Sequence, residues 1–275
     1  MDKLEKLTLL FSLAPVLKGF IAMSISGAAF PLCGVMVLRL NLVPMRYMLM
    51  HGVILGGAIA MALELPLLPI TVAVNLVLVF MMIMMTGNGE GRNFGGSSAS
   101  TMVLSMALAS VIMHVADVPA KDTLDLLWGS PFALSKADIG ALIFLSLLLL
   151  LYIILNFRNI KNLFFSKEIS MSLGINVKFH NTIMVIMIAA VVAVAMKLLG
   201  AFLIDSLLIL PVMCAAPVLK KINRNGIKAL FIGSSITGFF LSVAGYLIAL
   251  IMDFPPAGTI ALLAGIIFFI GRFLK

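Results

Sequence analysis

Long apolar runs dominate this sequence, and their length is the feature that most constrains the fold. A helix needs about 20 apolar residues to cross the hydrocarbon core of a bilayer. Runs of about that length lie at 19–39, 44–64, 66–86, 98–117, 138–157, 227–252 and 256–273. The stretch 181–219 is too long for one crossing, and because Lys197 and Gly200 interrupt it, we expect a hairpin of two short spans. The pattern predicts an all-α, polytopic integral membrane protein with about eight or nine transmembrane helices.

The composition excludes several other classes of protein. Of the 275 residues, 63% are hydrophobic and 11% are charged, which excludes a soluble enzyme, a disordered chain and a fibrous one. The net charge of +8 is spread over short gaps between apolar runs, whereas a nucleic-acid-binding protein concentrates such charge in one patch. The chain contains no P-loop motif, so we do not expect it to bind ATP through one, and it contains no recognisable set of catalytic residues, so we expect no enzymatic activity.

Basic residues predict which gaps face the cytoplasm. They fill the gap 158–180, the gap 220–228 and the ends of several runs, whereas 118–137 and 253–256 fall on the outer side. Counting crossings then places the N-terminus outside. We expect residues 1–18 to form an interfacial helix that leads into the first span, and residues 1–275 to form a single transmembrane domain.

The cytoplasmic gap 158–180 is long enough to hold structure of its own. Ser166 can cap a short helix, Glu168 favours its first turn, and Gly174 can end it. Such a helix suits contact with another protein, and it equally suits a position in the lipid headgroups, so both interpretations stay open.

Ionisable side chains inside apolar runs are costly and mark functional sites. Asp205 lies about 12 Å below Lys197 and is too short to reach water by extending outward. His51 lies inside the second run, and an imidazole with a carboxylate suits a divalent cation such as zinc or manganese. The alternative for His51 is a hydrogen bond between helices. Met50 is a candidate soft neighbour or a filler of the span, and His114 is a candidate ligand or a polar residue at the outer end of its run.

Three segments resemble one known family. They are MKLLGAFLIDSLLILP at 196–211, KEISMSLGI at 167–175 and DFPPAG at 253–258. In order and spacing they are similar to segments in the permease subunits of ABC importers for zinc, manganese and iron, relatives of the vitamin B12 and siderophore permeases. The resemblance implies that fold and a homodimer in a prokaryotic plasma membrane, in contact with lipid. It also implies a cytoplasmic ABC ATPase, an extracellular solute-binding protein near 118–137 and 253–258, and a transported metal ion with no bound cofactor. The residues that it assigns to contact with the ATPase are Ser166, Lys167, Glu168, Leu173 and Gly174.

The sequence departs from that family at the metal-binding motif. The family has G-D-x-x-x-H in its second span, where the Asp and the His bind the passing metal. Here Tyr47 stands at the Asp position and His51 at the His position, whereas Asp205 stands where the family has Ser or Thr. We hypothesise that the carboxylate has moved, so that His51 and Asp205 bind the metal across a pathway that Tyr47, Met50 and His114 also line.

Two other functions remain open from the sequence. An ABC permease for an organic solute, such as a siderophore or a cobamide, needs a wide cavity without a paired imidazole and carboxylate. A proton- or sodium-coupled secondary carrier would use Asp205 as its coupling acid and would need no ATPase.

Overall fold

A computed structural model of the protein describes residues 3–85, 94–119, 121–122 and 129–273. The helices in these residues are α1 (Lys3–Phe11), α2 (Ala14–Arg39), α3 (Val43–Ala62), α4 (Leu67–Met85), α5 (Phe94–Val115), α6 (Lys136–Leu155), α7 (Phe157–Phe165), α8 (Lys167–Ser172), α9 (Val177–Leu199), α10 (Ala201–Lys221), α11 (Ile227–Met252) and α12 (Pro256–Phe273). The predicted all-α class is confirmed for the part of the chain that the structure describes.

Eight helices within the described ranges, α2 to α6 and α9 to α11, are long and apolar enough to cross a bilayer. The apolar part of α12, Pro256–Gly271, is shorter, and the 18 residues of the whole helix extend about 27 Å. The prediction of eight or nine crossings is therefore confirmed. Large apolar side chains on α4, α5 and α6 are exposed, as lipid-facing surfaces are.

The first span begins earlier than the sequence predicts. The apolar run that predicts this span starts at residue 19, after Lys18, yet α2 already begins at Ala14 and only Lys3–Phe11 forms a separate helix before it. The long side chain of Lys18 resolves the discrepancy. Its Nζ donates a hydrogen bond to the carbonyl oxygen of Leu134 at 3.4 Å, so the helix accommodates the charge close to its own end.

The predicted division of the stretch 181–219 into two helices is confirmed, and the chain breaks at Gly200. That residue has a φ of 88°, a backbone conformation that glycine adopts without strain. The two helices are longer than the short spans that the sequence predicts. α9 has 23 residues and α10 has 21, so each is about 30 Å long or more. Gly200 alone separates the two helices, so almost all of the apolar stretch is helical.

The chain divides into two compact units. One contains residues 1–35, 129–151 and 198–275, and the other contains residues 36–128 and 152–197. Within the second unit α3 packs against α4 and α5, and within the first α10, α11 and α12 pack together. That residues 1–275 form one transmembrane domain stays a prediction.

Hydrogen bonds from α11 to the backbone of α2 fix the packing of the first unit. Each donor is a hydroxyl and each acceptor a main-chain carbonyl, and they pair Ser235 with Ala28, Ser242 with Met23 and Tyr246 with Val16 at 2.7, 2.7 and 2.8 Å. Pro31 lies inside α2, and because it lacks an N–H it leaves the carbonyl of Gly27 without its usual helical donor. Glycine lets α11 approach at that point, since a Cβ added to Gly238 would meet the Gly27 carbonyl oxygen.

Contacts at one end of the first unit bring the start of α2 to the end of α11. The hydroxyl of Tyr246, near the end of α11, bonds to Val16 near the start of α2. At Gly129 the chain lies so close to Gly200 that a Cβ added to Gly129 would meet the backbone nitrogen of Gly200. The start of α2 therefore lies at the same end as residues 129–134, the α9–α10 break and the end of α11. The basic residues assign that end to the outside. That the N-terminus lies outside stays a prediction.

Replacing Gly238 by alanine tests the close approach of α2 and α11. The variant Gly238→Ala should unfold at a lower temperature, because overpacking costs about 1–3 kcal/mol and each kcal/mol lowers the Tm of a protein of this size by about 2–4 °C. Unfolding can be followed by the reaction of the buried Cys33 with a thiol-reactive dye, in a background where the half-buried Cys214 is replaced by alanine. The matched control is Gly265→Ala, where an added Cβ meets nothing within 4 Å. Equal melting temperatures for the two variants would contradict this packing.

Candidate functional site

Between residues 47 and 54, one narrow face of α3 stays accessible while the rest of the helix is buried. The accessible positions between residues 47 and 54 are Tyr47, Met50, His51 and Ile54, and the other four positions are buried. Their spacing of three and four residues places them on one stripe of the helix surface. Three of the residues predicted to line a pathway, Tyr47, Met50 and His51, therefore share a single exposed face.

Small residues on the opposite face hold α3 in this orientation. A Cβ added to Gly52 would meet the Oδ1 of Asn75, and one added to Gly56 would meet the backbone of Thr71, both on α4. Asn75 and Thr71 are fully buried. Their side chains donate hydrogen bonds within α4, from Asn75 Nδ2 to the Thr71 carbonyl at 3.0 Å and from Thr71 Oγ1 to the Leu67 carbonyl at 2.9 Å. Helices that approach this closely cannot rotate past each other, so the stripe keeps its direction.

The imidazole of His51 is oriented by the backbone of its own helix. Nδ1 lies 2.8 Å from the carbonyl oxygen of Tyr47. A carbonyl only accepts hydrogen bonds, so this contact assigns the hydrogen to Nδ1 and leaves the lone pair on Nε2. Histidines that bind metals are commonly held in this way, with the second ring nitrogen donating to a carbonyl or a carboxylate. His51 thus presents a fixed nitrogen ligand on the accessible stripe.

Tyr47 is held by the residue beside it. The guanidinium carbon of Arg46 lies 4.7 Å from the centroid of the Tyr47 ring, a cation–π contact, and Arg46 itself is buried. The Tyr47 side chain remains 44% exposed. Because a guanidinium repels a divalent cation, the better metal ligand on this stripe is His51, about one helical turn further along.

Asp205 lies in the other compact unit. It is half-buried and sits four residues into α10, about 6 Å along the helix from its start at Ala201. The neighbouring Ser206 is buried and donates to the Leu203 carbonyl at 2.8 Å, so its hydroxyl is satisfied within the helix. Within the described residues no three His, Cys, Asp or Glu side chains gather into a metal-binding cluster. A shared metal site of His51 and Asp205 stays a prediction.

His114, the remaining candidate of the pathway, is exposed in the last turn of α5. Both interpretations of that residue fit this position.

The cytoplasmic gap holds the short helix that the sequence predicts. The Oγ of Ser166 accepts a hydrogen bond from the Ile169 N–H at 3.2 Å and caps α8, and Gly174 follows the helix with a φ of 74°. The same hydroxyl donates to Glu168 Oε2 at 2.5 Å. That bond lowers the pKa of the Glu168 carboxyl, so its negative charge persists in the first turn, where the helix dipole favours it.

Exposed apolar side chains surround this short helix. Phe165 is 82% exposed, and Ile169, Met171 and Leu173 are also exposed. The charged side chains of Lys167 and Glu168 are exposed beside them. A mixed apolar and charged surface of this kind suits contact with a protein partner.

Two features of this region were not predicted from the sequence. A separate amphipathic helix, α7, precedes α8, where the sequence predicted one short helix. The imidazole of His180, at the start of α9, lies between the Tyr152 hydroxyl at 3.2 Å and Asn159 Nδ2 at 3.1 Å. Only the spacing of three and four residues between the apolar positions 157, 160 and 164 could have indicated α7. No local pattern joins residues 152, 159 and 180.

Known proteins similar to this chain agree with the fold. The family model described as the ABC 3 transport family matches residues 13–275. The manganese import system permease protein ScaB of Streptococcus gordonii is 25% identical over 169 residues, which cover 62% of this chain and 59% of ScaB. The high-affinity zinc uptake system membrane protein ZnuB of Buchnera aphidicola is 30% identical over 114 residues, 42% of each chain. The matched part of the chain thus covers less than two thirds of the length of either relative. PsaBC from Streptococcus pneumoniae, solved in complex with Fab, has a TM-score of 0.81 at 21% identity and covers 98% of this chain and 95% of that one. The expected permease fold is confirmed.

The cap of α8 can be tested by a single substitution. Ser166→Ala removes the acceptor for the Ile169 N–H, and losing such a cap costs about 1 kcal/mol of helix stability. The amide hydrogens of 169–172 should then exchange roughly fivefold faster in the full-length protein. Ser172→Ala is the control, because that hydroxyl only bonds back to the Glu168 carbonyl, and Ser166→Thr should restore slow exchange. Unchanged exchange in Ser166→Ala would show that the cap does not stabilise the helix.

Proposed function

This chain belongs to the ABC 3 transport family, and we propose that it is the transmembrane permease subunit of an ATP-driven importer of divalent metal ions, zinc or manganese. It is a multi-pass protein of the plasma membrane. The relatives named for manganese import and for zinc uptake support these two metals. The observation that carries the proposal is the accessible stripe of α3, on which His51 presents Nε2 as a metal ligand inside a membrane span.

The stripe provides the chemistry that a passing ion needs. Nε2 of His51 is a borderline donor that suits zinc and also binds manganese, and the Met50 thioether lies beside it on the same face. His51 lies eight residues after Val43, about 12 Å along α3 from its cytoplasmic start. An ion there is inside the membrane, so the imidazole replaces part of the hydration shell that the ion loses.

Asp205 supplies the negative charge that α3 lacks. Its carboxylate stands about one turn from the outer start of α10, and a half-buried carboxylate at that depth lowers the energy of a divalent cation that enters from outside. In this proposal His51 and Asp205 each contact the metal as it passes, and Tyr47, Met50 and His114 line its path.

The partner subunits follow from the family and from the exposed surfaces. A cytoplasmic ABC ATPase docks on α8, where Leu173 and the apolar side chains around it are exposed, and ATP-driven motion passes through that helix to the spans. The permease acts as a homodimer. An extracellular solute-binding protein delivers the ion near 253–258 and 118–137; part of the latter segment lies outside the described residues.

Reconstitution with the ATPase subunit tests this function. In liposomes that contain the permease, its ATPase and its solute-binding protein, zinc or manganese should accumulate only when ATP is supplied to the ATPase side. The control is an ATPase variant that binds ATP without hydrolysing it. Metal accumulation driven by a proton gradient in the absence of the ATPase would identify a secondary carrier instead, and accumulation of only an organic chelate would identify a different permease.

Substitutions at the two proposed ligands test the metal site. We expect His51→Ala and Asp205→Asn each to lower metal uptake at least about tenfold, because each removes a group that contacts the ion. Ile54→Ala is the control on the same stripe, since it changes a side chain without a donor atom and should keep uptake within about twofold. Co-purification of the ATPase with every variant shows that the complex still assembles. Normal uptake in both ligand variants would refute the proposed site.

A further inference from the structure

A polar cavity of about 330 Å³ lies beside the helix proposed to contact the ATPase. Its walls come from α7, from the connection after α8 and from the first turn of α9. The polar side chains that line it are Arg158, Asn159, Asn162, Asn176 and His180. Leu173 and Gly174, which end α8, line it as well, so α8 and the cavity form one continuous surface.

Hydrogen bonds at the back of the cavity hold it in shape. His180 is buried, and its ring bridges the Tyr152 hydroxyl of α6 and the Asn159 amide of α7. Asn176 caps α9, because its Oδ1 accepts a hydrogen bond from the Phe179 N–H at 3.0 Å. The cavity is therefore preorganised, and a ligand that enters it does not need to order these side chains.

The cavity favours an anion. Arg158 brings a guanidinium, and the amides of Asn162 and Asn176 add N–H donors, whereas no carboxylate is among the lining residues. The segment around it carries four basic side chains and one acidic one, namely Arg158, Lys161, Lys167, Lys178 and Glu168. The planar guanidinium matches a carboxylate through two parallel hydrogen bonds.

We propose that this cavity receives an acidic side chain of the ATPase subunit, with Arg158 as its partner. The inference rests on the proposed function, because it presupposes an ATPase docked on α8. A subunit seated there lies next to the cavity, since Leu173 and Gly174 belong to both surfaces. The excess of basic side chains around the opening attracts an acidic surface and fixes the register of docking. The cavity then ties the ATPase to α7 and α9 of the permease as well as to α8.

Binding of the purified ATPase to the full-length permease in nanodiscs tests this contact. The ATPase is held in its ATP-bound form by a substitution that blocks hydrolysis, and its Kd is measured at two salt concentrations. Arg158→Ala should weaken binding roughly tenfold to hundredfold, because it removes a charged hydrogen-bonding partner. Lys161→Ala is the matched control: it removes the same charge from α7 but does not line the cavity, and we expect at most about a twofold loss. Equal losses for the two variants, at both salt concentrations, would overturn the proposal.

Cross-linking identifies the acidic partner directly. In Arg158→Lys, a carbodiimide should join the introduced amine to an aspartate or glutamate of the ATPase, which mass spectrometry then locates. Changing that acidic residue to arginine should weaken binding to the unmodified permease, and combining it with Arg158→Glu should restore binding. Failure to restore binding, or suppression of cross-linking by inorganic phosphate without any loss of ATPase binding, would show that the cavity is not a docking site.

These measurements separate the inference from the proposed function. If the permease binds the ATPase and Arg158→Ala does not weaken that binding more than the control, only the cavity assignment fails. If the permease does not bind the ATPase at all, the proposed function fails with it.

Discussion

Peptide groups that cross hydrocarbon must find their hydrogen-bonding partners inside the protein, and the rest of this structure depends on that constraint. Helices satisfy most of these groups. Pro31 interrupts the pattern in α2, and the adjoining α11 approaches the carbonyl of Gly27 through Gly238. Hydroxyl groups of α11 add hydrogen bonds to three other carbonyls of α2. The part of α2 that Pro31 makes irregular is thus held in a fixed contact with α11 in the first unit.

Close helix packing also determines where the functional groups point. Gly52 and Gly56 press α3 against α4, and the opposite stripe with Tyr47, Met50 and His51 is left accessible. The carbonyl of Tyr47 then orients the His51 ring. No part of this arrangement requires His51 to move when an ion arrives, so the helix provides a ligand with little reorganisation.

Features that depend on neighbouring residues could be predicted from the sequence. The apolar runs predicted the spans because length and hydropathy are local properties. Gly200 predicted the break between α9 and α10 for the same reason. Ser166, Glu168 and Gly174 lie within nine residues and together predict a capped helix, which the structure confirms. His51 and Asp205 stood out because ionisable groups are rare in spans.

Features that join distant residues could not be predicted. The start of α2 was misplaced because Lys18 uses a carbonyl of Leu134, 116 residues away, as its partner. The bridge from Tyr152 to His180 joins residues 28 apart, and the bond from Tyr246 to Val16 joins residues 230 apart. A single sequence contains no signal for such pairs, since each residue alone is compatible with many partners.

The claim at the centre of this account is that the stripe of α3 with His51 faces the path of the metal. Cysteine substitutions along α3, in a background without Cys33 and Cys214, test it through reaction with a charged, water-soluble thiol reagent. We expect Met50→Cys and Ile54→Cys to react, and to react more slowly when manganese is added, whereas Leu49→Cys and Val53→Cys, on the buried face, stay unmodified. Reaction at the buried positions, or equal reaction along the helix with no protection by the ion, would contradict the account.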